Sequence, residues 1–201
     1  VMSSLRRIVM VRHGETEGQS SVRFHGSADV RLNDEGRAQL REAARKMKTE
    51  GFDLVAASPL QRAWEGAVIV SGGAPVRLYS EFREVHFGHW EGMTAEEIEA
   101  SDPVLYRDWQ AGAASFEYPG GELRESFRTR VACGLDALLA SGATSALVVS
   151  HKGVIRTIGE RLLETPLSEG PELGGIVSVS RGADGRWHEG RRSSNPPGLV
   201  E

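Results

Sequence analysis

Short apolar runs alternate with longer amphipathic segments along most of the chain. The runs are strand-sized and mostly aliphatic, which is typical of strands buried on both faces. Four of them lie at 8–11, 53–57, 76–79 and 146–150. A further pair, 176–180 and 186–189, flanks the turn-forming residues Ala183-Asp184-Gly185 and predicts a hairpin.

The segments between the runs place apolar residues at helical spacing. Asn33 or Asp34 is suited to cap the first helix, and Gly51 to end it. Pro59 fits the first turn of the second helix. In the third helix, Phe127 is the first of the apolar residues that recur at helical spacing along one side. The predicted helices span 35–50, 59–70, 122–139 and 154–163.

The stretch from 81 to 121 contains no core strand. Thr94 is placed to cap a short helix over 95–100, with Glu97 completing a capping box. A second short helix is predicted over 103–111. We interpret this stretch as a small helical insertion and not as a separate domain.

Alternation of strands with helices indicates an α/β fold with a mostly parallel sheet and helices on both faces. The predicted architecture is a three-layer α/β/α sandwich with the helical insertion near the active site. A chain of 201 residues is long enough to bury such a core, and we expect one domain over 1–201. The polar segment 193–201, with two prolines, is expected to form a loose tail.

Composition and charge exclude several classes of protein. With 39% hydrophobic and 26% charged residues, the chain is not largely disordered, and it has no membrane-length apolar run. A formal net charge of −4 argues against broad nucleic-acid binding. Cys133 is the one cysteine, so no intrachain disulfide can form and a reducing, cytoplasmic location is expected. Cys133 itself is predicted to be buried and inert.

Charged and polar side chains collect where the predicted parallel strands end. Ligands of open α/β sheets bind just beyond the carboxyl ends of the strands, so these side chains should meet at one edge. They are Arg12 and His13 after the first strand, Arg62 after the second, Glu84 after the third, and His151 with Lys152 after the fourth.

This set suits phosphoryl transfer. Guanidinium groups make paired hydrogen bonds to phosphate oxygens, and the first turn of a helix, where Arg62 is predicted, also favours an anion. A histidine held among cations, such as His13, stays neutral near pH 7 and can act as a nucleophile. A carboxyl group such as Glu84 can protonate the departing oxygen and then take a proton from water.

Five segments carry this set, in order, over residues 8 to about 160. They are Val11-Arg12-His13-Gly14-Glu15-Thr16, Arg23-Phe24-His25-Gly26, Ser58-Pro59-Leu60-Gln61-Arg62-Ala63, Phe82-Arg83-Glu84 and Val149-Ser150-His151. In this order and spacing they resemble the histidine phosphatase superfamily, in its phosphoglycerate mutase-like branch. A lone Arg-His-Gly would be a weak signal, whereas the ordered set is specific.

The resemblance implies a role for each matched residue. His13 would be the nucleophile that becomes phosphohistidine, and Glu84 the proton donor. Arg12, Arg62 and His151 would bind the phosphoryl group and stabilise its transition state. The implied activity is that of a small metal-independent phosphatase, with no metal and no cofactor.

The expected partner is a small phosphomonoester substrate. The family's small phosphatases act on sugar phosphates, phosphoglycerates and nucleotide-like monoesters, and the sequence does not choose among these. No nucleic-acid or membrane partner is expected, and the chain is expected to be a monomer or a homodimer. Phe87, Trp90, Trp109 and Tyr118 are expected to give the leaving group an apolar wall.

Four further residues are expected to bind substrate. Gln19 stands where the family commonly has asparagine, and its longer side chain could reach the same oxygen. His25, beside Gly26, could offer its backbone N–H or its ring. Lys152 stands where the family commonly has a small residue. It either adds charge for the phosphate or a second anionic group, or points into solvent from the start of its helix.

Other functions remain open from the sequence. A mutase would keep water out, but segment 102–121 lacks the basic, proline-rich run of the resembling mutases and has only Arg107 and Pro119 there. A non-catalytic phospho-ligand module would not need both His13 and Glu84. A phosphoprotein phosphatase would need an open, shallow pocket.

Competing side chains surround the predicted acid. Glu81 and Glu91 are alternative carboxylates to Glu84, which is chosen by its position in the resembling segment. His86 and His89 suggest a metal site together with His25, but no further matching ligands accompany them. We interpret these histidines as unrelated loop residues.

Overall fold

The computed structural model describes residues 4–47, 51–165, 167 and 170–193, with the backbone alone for 191–193. Its strands are β1 (Arg7–Arg12), β2 (Leu54–Ala57), β3 (Val76–Leu78), β4 (Ser145–Ser150), β5 (Ile176–Arg181) and β6 (Trp187–Ser193). They form one sheet in the order β3-β2-β4-β1-β5-β6.

The first four strands are parallel, and the last two are not. β1 pairs with β4, β4 with β2 and β2 with β3 in parallel, whereas β5 runs antiparallel to β1 and β6 antiparallel to β5. The predicted hairpin turn, Ala183-Asp184-Gly185, joins β5 to β6. The carboxyl ends of the four parallel strands therefore lie at one edge of the sheet.

Helices cover both faces of the sheet. They are α1 (Asp34–Lys46), α2 (Gln61–Ser71), α3 (Ala95–Ser101), α4 (Pro103–Gln110), α5 (Arg124–Leu139) and α6 (Lys152–Leu162). Successive residues of a strand point to opposite faces. Val9 and Val11 of β1 accordingly join the core beneath α1 and α2, and Ile8 and Met10 the core beneath α5 and α6. The predicted three-layer α/β/α architecture is confirmed.

The predicted helical insertion has a small apolar core of its own. Segment 81–121 contains α3, α4 and single 3₁₀ turns, and no strand. Thr94 and Glu97 form the predicted capping box at the start of α3. The buried residues of this core are Trp90, Ile98, Tyr106 and Phe116.

Several helix boundaries differ from the prediction. α1 ends at Lys46, where the N–H of Met47 donates to the carbonyl oxygen of Ala43 and completes the last turn. Residues 48–50, the end of the predicted helix, lie outside the described ranges. α2 begins at Gln61 and not at Pro59, since the Asp29 carboxylate accepts from the Gln61 N–H and caps the helix there. α5 begins at Arg124, two residues later than predicted, and α6 at Lys152, two residues earlier.

Two further predictions were wrong. Cys133 is exposed on α5 and not buried, because the buried side of that helix is formed by Val131, Leu135 and their helical neighbours. The predicted tail, 193–201, begins one residue too early, because Ser193 belongs to β6 and pairs with Ile176 of β5. The remainder of the predicted tail, 194–201, lies outside the described residues.

Candidate active site

The parallel register brings the two predicted catalytic histidines together. Arg12 at the end of β1 pairs with Ser150 at the end of β4, so His13 and His151 leave the sheet side by side. Their rings lie 5.2 Å apart. A cavity of about 1040 Å³ opens at this edge, and Arg12, His13, Arg62 and Glu84 all line it.

His13 is buried, and its tautomer follows from its hydrogen bonds. Nδ1 lies 2.8 Å from the carbonyl oxygen of Gly14, which can only accept, so Nδ1 carries the proton. Nε2 keeps its lone pair and accepts a hydrogen bond from Nε of Arg62 at 3.3 Å. Burial, reinforced by the charges of Arg62 and Arg12, holds the pKa of His13 well below its ordinary value. The imidazole is therefore neutral near pH 7 and keeps the Nε2 lone pair.

The turn that carries His13 requires glycine at two places. A Cβ on Gly14 would lie 2.3 Å from the carbonyl oxygen of Gly36, and a Cβ on Gly36 would lie 2.0 Å from that of Glu15. The backbone beyond β1 thus passes directly against the start of α1. Asn33 caps that helix, as predicted, by accepting from the N–H of Gly36 at 2.8 Å.

Arg62 lies in the first turn of α2, as predicted, and is fully buried. Its terminal nitrogens donate to the carbonyl oxygens of Ala28 and Gly26, both at 2.6 Å. Burial lowers the pKa of Arg62 to about 10, which leaves the guanidinium charged near neutral pH. It is a fixed cation directly beside His13.

Arg12 presents an unused donor to the site. One of its terminal nitrogens donates to the carbonyl oxygen of Pro171 at 3.2 Å. Its Nε is buried without a hydrogen-bond partner in the part of the chain that the structure describes. Burial lowers the pKa of Arg12, opposed by the charge of Glu84. A buried donor of this kind is costly unless a ligand oxygen binds it.

His151 lies beside His13 but is fully buried and does not itself line the cavity. Its Nε2 lies 2.8 Å from Oγ of Ser58, and that oxygen accepts the N–H of Leu60 at 3.3 Å. When the Ser58 hydroxyl donates its proton to Nε2, the ring proton of the neutral imidazole is on Nδ1. Nδ1 is buried with no partner among the described residues. Burial, with the charges of Arg62 and His13, keeps the pKa of His151 well below its ordinary value.

Backbone groups hold Glu84 at the cavity wall. Oε1 accepts from the N–H of Val85 at 3.0 Å, and Oε2 accepts from the N–H of Gly153, in the first turn of α6, at 3.1 Å. Arg130 supports the segment by donating to the carbonyl oxygens of three of its residues, Glu81, Arg83 and Glu84.

The competing carboxylates lie elsewhere. Glu91 accepts from the backbone of Ser27 and Phe87 and joins two loops. Glu81 does not line the cavity, whereas Glu84 does.

Three of the four predicted substrate-binding residues lie at the cavity, and the fourth does not. Lys152, His25 and Gly26 line the cavity. Nε2 of His25 already bonds to the carbonyl oxygen of Gly18, so that nitrogen is not free for a substrate. Gln19 is not brought into the site: it is exposed in a turn at φ 61°, and the serines that follow it line the cavity instead.

The predicted apolar wall is largely present. Phe87, Trp109 and Tyr118 line the cavity, and Phe24 joins them. Trp90 packs behind this wall in the core of the insertion, because 98% of it is covered by other residues of that core.

Three features of the site were missed in the sequence. Ser58 is hydrogen-bonded to Nε2 of His151, although the sequence indicated it only as part of a motif. The cavity also takes in Arg128 and Arg156. Arg156 stands four residues after Lys152, and this helical spacing could have indicated from the sequence that Arg156 lies on the same side of the helix.

The histidines considered for a metal site, His25, His86 and His89, are interpreted from the sequence as unrelated loop residues. Within 4–47, 51–165, 167 and 170–193, no group of three His, Cys, Asp or Glu side chains is arranged to hold a metal ion. Nδ1 of His86 accepts the N–H of Gly88 instead.

Over the described residues, no helix combines the length and the apolar character needed to cross a bilayer.

Comparison with known proteins agrees with this geometry. Residues 8–187 match the model of the histidine phosphatase superfamily (branch 1). Glucosyl-3-phosphoglycerate phosphatase of Mycolicibacterium vanbaalenii is 33% identical over 186 residues, which cover 88% of this chain and 82% of that protein.

Solved structures extend the similarity to the whole fold. A mycobacterial glucosyl-3-phosphoglycerate phosphatase matches with a TM-score of 0.81 at 27% identity, covering 94% of this chain and 99% of that one. The α-ribazole phosphatase of Shigella flexneri matches with a TM-score of 0.81 at 25% identity, covering 97% and 100%. The expected fold and the phosphatase class are confirmed, and the chain belongs to the histidine phosphatase superfamily (branch 1).

Proposed function

We propose that this phosphatase hydrolyses a small phosphorylated metabolite through a phosphohistidine formed on Nε2 of His13. The observation that carries the proposal is the fixed tautomer of His13. Its Nδ1–H is engaged by Gly14, so the lone pair of Nε2 is directed toward Arg62 at the cavity. A neutral, oriented imidazole among cations is suited to attack phosphorus.

In the first step, the Nε–H of Arg62 turns from Nε2 of His13 to a phosphoryl oxygen, and Nε2 forms a bond to phosphorus as the ester P–O bond breaks. Arg12 and Arg62 neutralise the phosphoryl oxygens, and Nδ1–H of His151 donates to one of them. Glu84, in its protonated form, gives its proton to the departing oxygen. The alcohol leaves, and the phosphoryl group stays on His13.

In the second step, water enters the space that the alcohol leaves. Glu84, now a carboxylate, takes one proton from the water as the water oxygen bonds to phosphorus. The P–N bond to His13 breaks, and its electron pair returns to Nε2. Inorganic phosphate leaves, and the enzyme is restored with Glu84 protonated.

The substrate class follows from the size and lining of the cavity. A volume of about 1040 Å³ exceeds what a phosphoryl group alone fills, and its aromatic lining suits the carbon skeleton of a metabolite. The relatives' names point the same way, since they act on a glycosylated phosphoglycerate and on α-ribazole phosphate. We propose that the chain forms one domain. We also propose a cytoplasmic location, because the chain has a single cysteine.

A panel of phosphomonoesters assayed with a metal chelator tests the proposal. Wild type is expected to release phosphate, and His13→Ala to lose about 10³-fold or more of kcat. His188→Ala is the matched control, because His188 is an exposed histidine on β6, far along the chain from the site. Full activity in His13→Ala, an inactive wild type or activity abolished by the chelator would each reject the proposal.

A further inference from the structure

One wall of the cavity carries more positive charge than a single phosphoryl group requires. Lys152, Arg156 and Glu160 recur every four residues along α6, so they share one face of that helix. All three line the cavity, and Arg128 of α5 lines it beside them. We call Arg128, Lys152 and Arg156 the cationic wall. It is additional to Arg12 and Arg62 at His13.

Glu160 does not neutralise the cationic wall. One of its oxygens lies 3.9 Å from Arg128 and the other 4.0 Å from Arg156, and the two arginines are half exposed. Glu160 carries one negative charge and the two guanidinium groups carry two positive charges, so one positive charge is not balanced by this carboxylate. Lys152 adds another, and it forms no ion pair with any residue that the structure describes.

Packing holds two of these cations next to each other. A Cβ on Gly170 would lie 2.5 Å from Cγ of Lys152 and 3.2 Å from Cγ of Arg156. Both side-chain stems therefore lie against the same backbone position. Both residues line the cavity, Lys152 immediately after His151 in the first turn of α6 and Arg156 one turn further along the helix.

We propose that the substrate carries a second anionic group that binds Lys152 and Arg156 while its phosphoryl group lies at His13. This inference rests on the proposed function, because it assigns the other end of the same substrate. The molecule as a whole has a formal net charge of −4, so the local excess of positive charge among the described residues of this wall favours binding of an anionic group there. The substrate class is a phosphomonoester of an acid, such as a phosphorylated hydroxy acid.

Binding of two matched probes tests the inference without turnover. The probes are 3-phosphoglycerate and glycerol 3-phosphate, which differ in one carboxylate, and the protein is His13→Ala. We expect 3-phosphoglycerate to bind about tenfold more tightly, the effect of one charge-assisted hydrogen-bonded contact. Equal affinities, or no measurable binding of either probe, would overturn the inference.

Variants assign the preference to the cationic wall. Arg156→Met and Lys152→Met, each in His13→Ala, should weaken 3-phosphoglycerate about tenfold and glycerol 3-phosphate far less. Arg161→Met is the matched control, since Arg161 lies on the same helix but outside the cavity lining, and it should keep the preference. Equal weakening of both probes would mean that these cations only attract anions in general, and would overturn the inference.

Turnover separates this inference from the proposed function. If wild type hydrolyses both probes and His13→Ala binds them equally, the phosphatase proposal stands and the second anionic group is rejected. If wild type hydrolyses no phosphomonoester at all, the proposed function fails, and the binding difference still decides the inference.

Discussion

Arg62 donates from Nε to Nε2 of His13 at 3.3 Å, while its two terminal nitrogens donate to the carbonyl oxygens of Ala28 and Gly26. One guanidinium thus contacts the His13 imidazole and anchors the loop at the edge of the cavity. Only a planar group with several fixed donors can make these three contacts at once.

Replacing Arg62 with lysine should therefore fail to preserve activity. Arg62→Lys keeps the charge but loses the fork of donors, and we expect kcat/KM to fall about 100-fold or more. Arg37→Lys, a change in a partly exposed ion pair between Arg37 of α1 and Glu65 of α2, is the control and should leave kcat/KM near the wild-type value. A loss below about threefold in Arg62→Lys would show that charge alone suffices.

The buried histidines should make stability depend on pH. Both His13 and His151 have pKa values well below the ordinary 6.5, so below that pH the unfolded chain binds more protons than the folded one. The free energy of unfolding should fall with decreasing pH by up to about 1.4 kcal/mol per unit for each histidine, and level off above pH 7.

Urea unfolding of wild type and His13→Ala between pH 5 and 8 measures this dependence. The slope below pH 6 should be smaller in His13→Ala, because one of the two histidines no longer contributes. Identical slopes in the two proteins would contradict the assignment of the effect to His13.

Ser58 should act through His151. Ser58→Ala removes the hydroxyl that fixes the tautomer, so kcat should fall about tenfold, with a smaller change in KM. Ser58→Thr keeps a hydroxyl at the same place and should recover most of kcat. The ¹⁵N chemical shifts of His151 report the tautomer directly. An unchanged tautomer in Ser58→Ala would contradict this role.

Glu84→Gln separates proton transfer from position. The amide oxygen can still accept one backbone N–H, but the group cannot donate an acidic proton, and kcat should fall about 10²–10⁴-fold. The loss should be smaller for 4-nitrophenyl phosphate, whose leaving group needs little protonation. Glu81→Gln is the control, because Glu81 is outside the cavity lining. Equal losses for Glu84→Gln and Glu81→Gln would argue against Glu84 as the acid.

The parts of the fold that were predicted correctly are those set by local pattern. Apolar strand-sized runs gave β1, β2 and β4, and the caps at Asn33 and Thr94 gave two helix starts. The start of α2 was misplaced because its cap, Asp29, is remote in sequence. The side of α5 that carries Cys133 was misjudged because burial depends on what packs against the helix.

The site shows the same division. Strand ends identified Arg12, His13, Arg62 and His151, since parallel topology alone brings strand ends together. The hydrogen bond between Ser58 and His151 spans 93 positions of the chain, and no local pattern encodes it. Gln19 illustrates the converse: resemblance marked the position, but the turn leaves its side chain exposed.

The most direct test of the mechanism is to identify the phosphorylated atom. Wild-type protein is mixed with a phosphomonoester that it hydrolyses, and the reaction is quenched in alkali. We expect phosphohistidine at His13, with phosphorus on Nε2. Peptide mapping and ³¹P NMR distinguish this isomer from the one on Nδ1. Phosphate on Nδ1, on another residue, or on no residue during turnover would contradict the account.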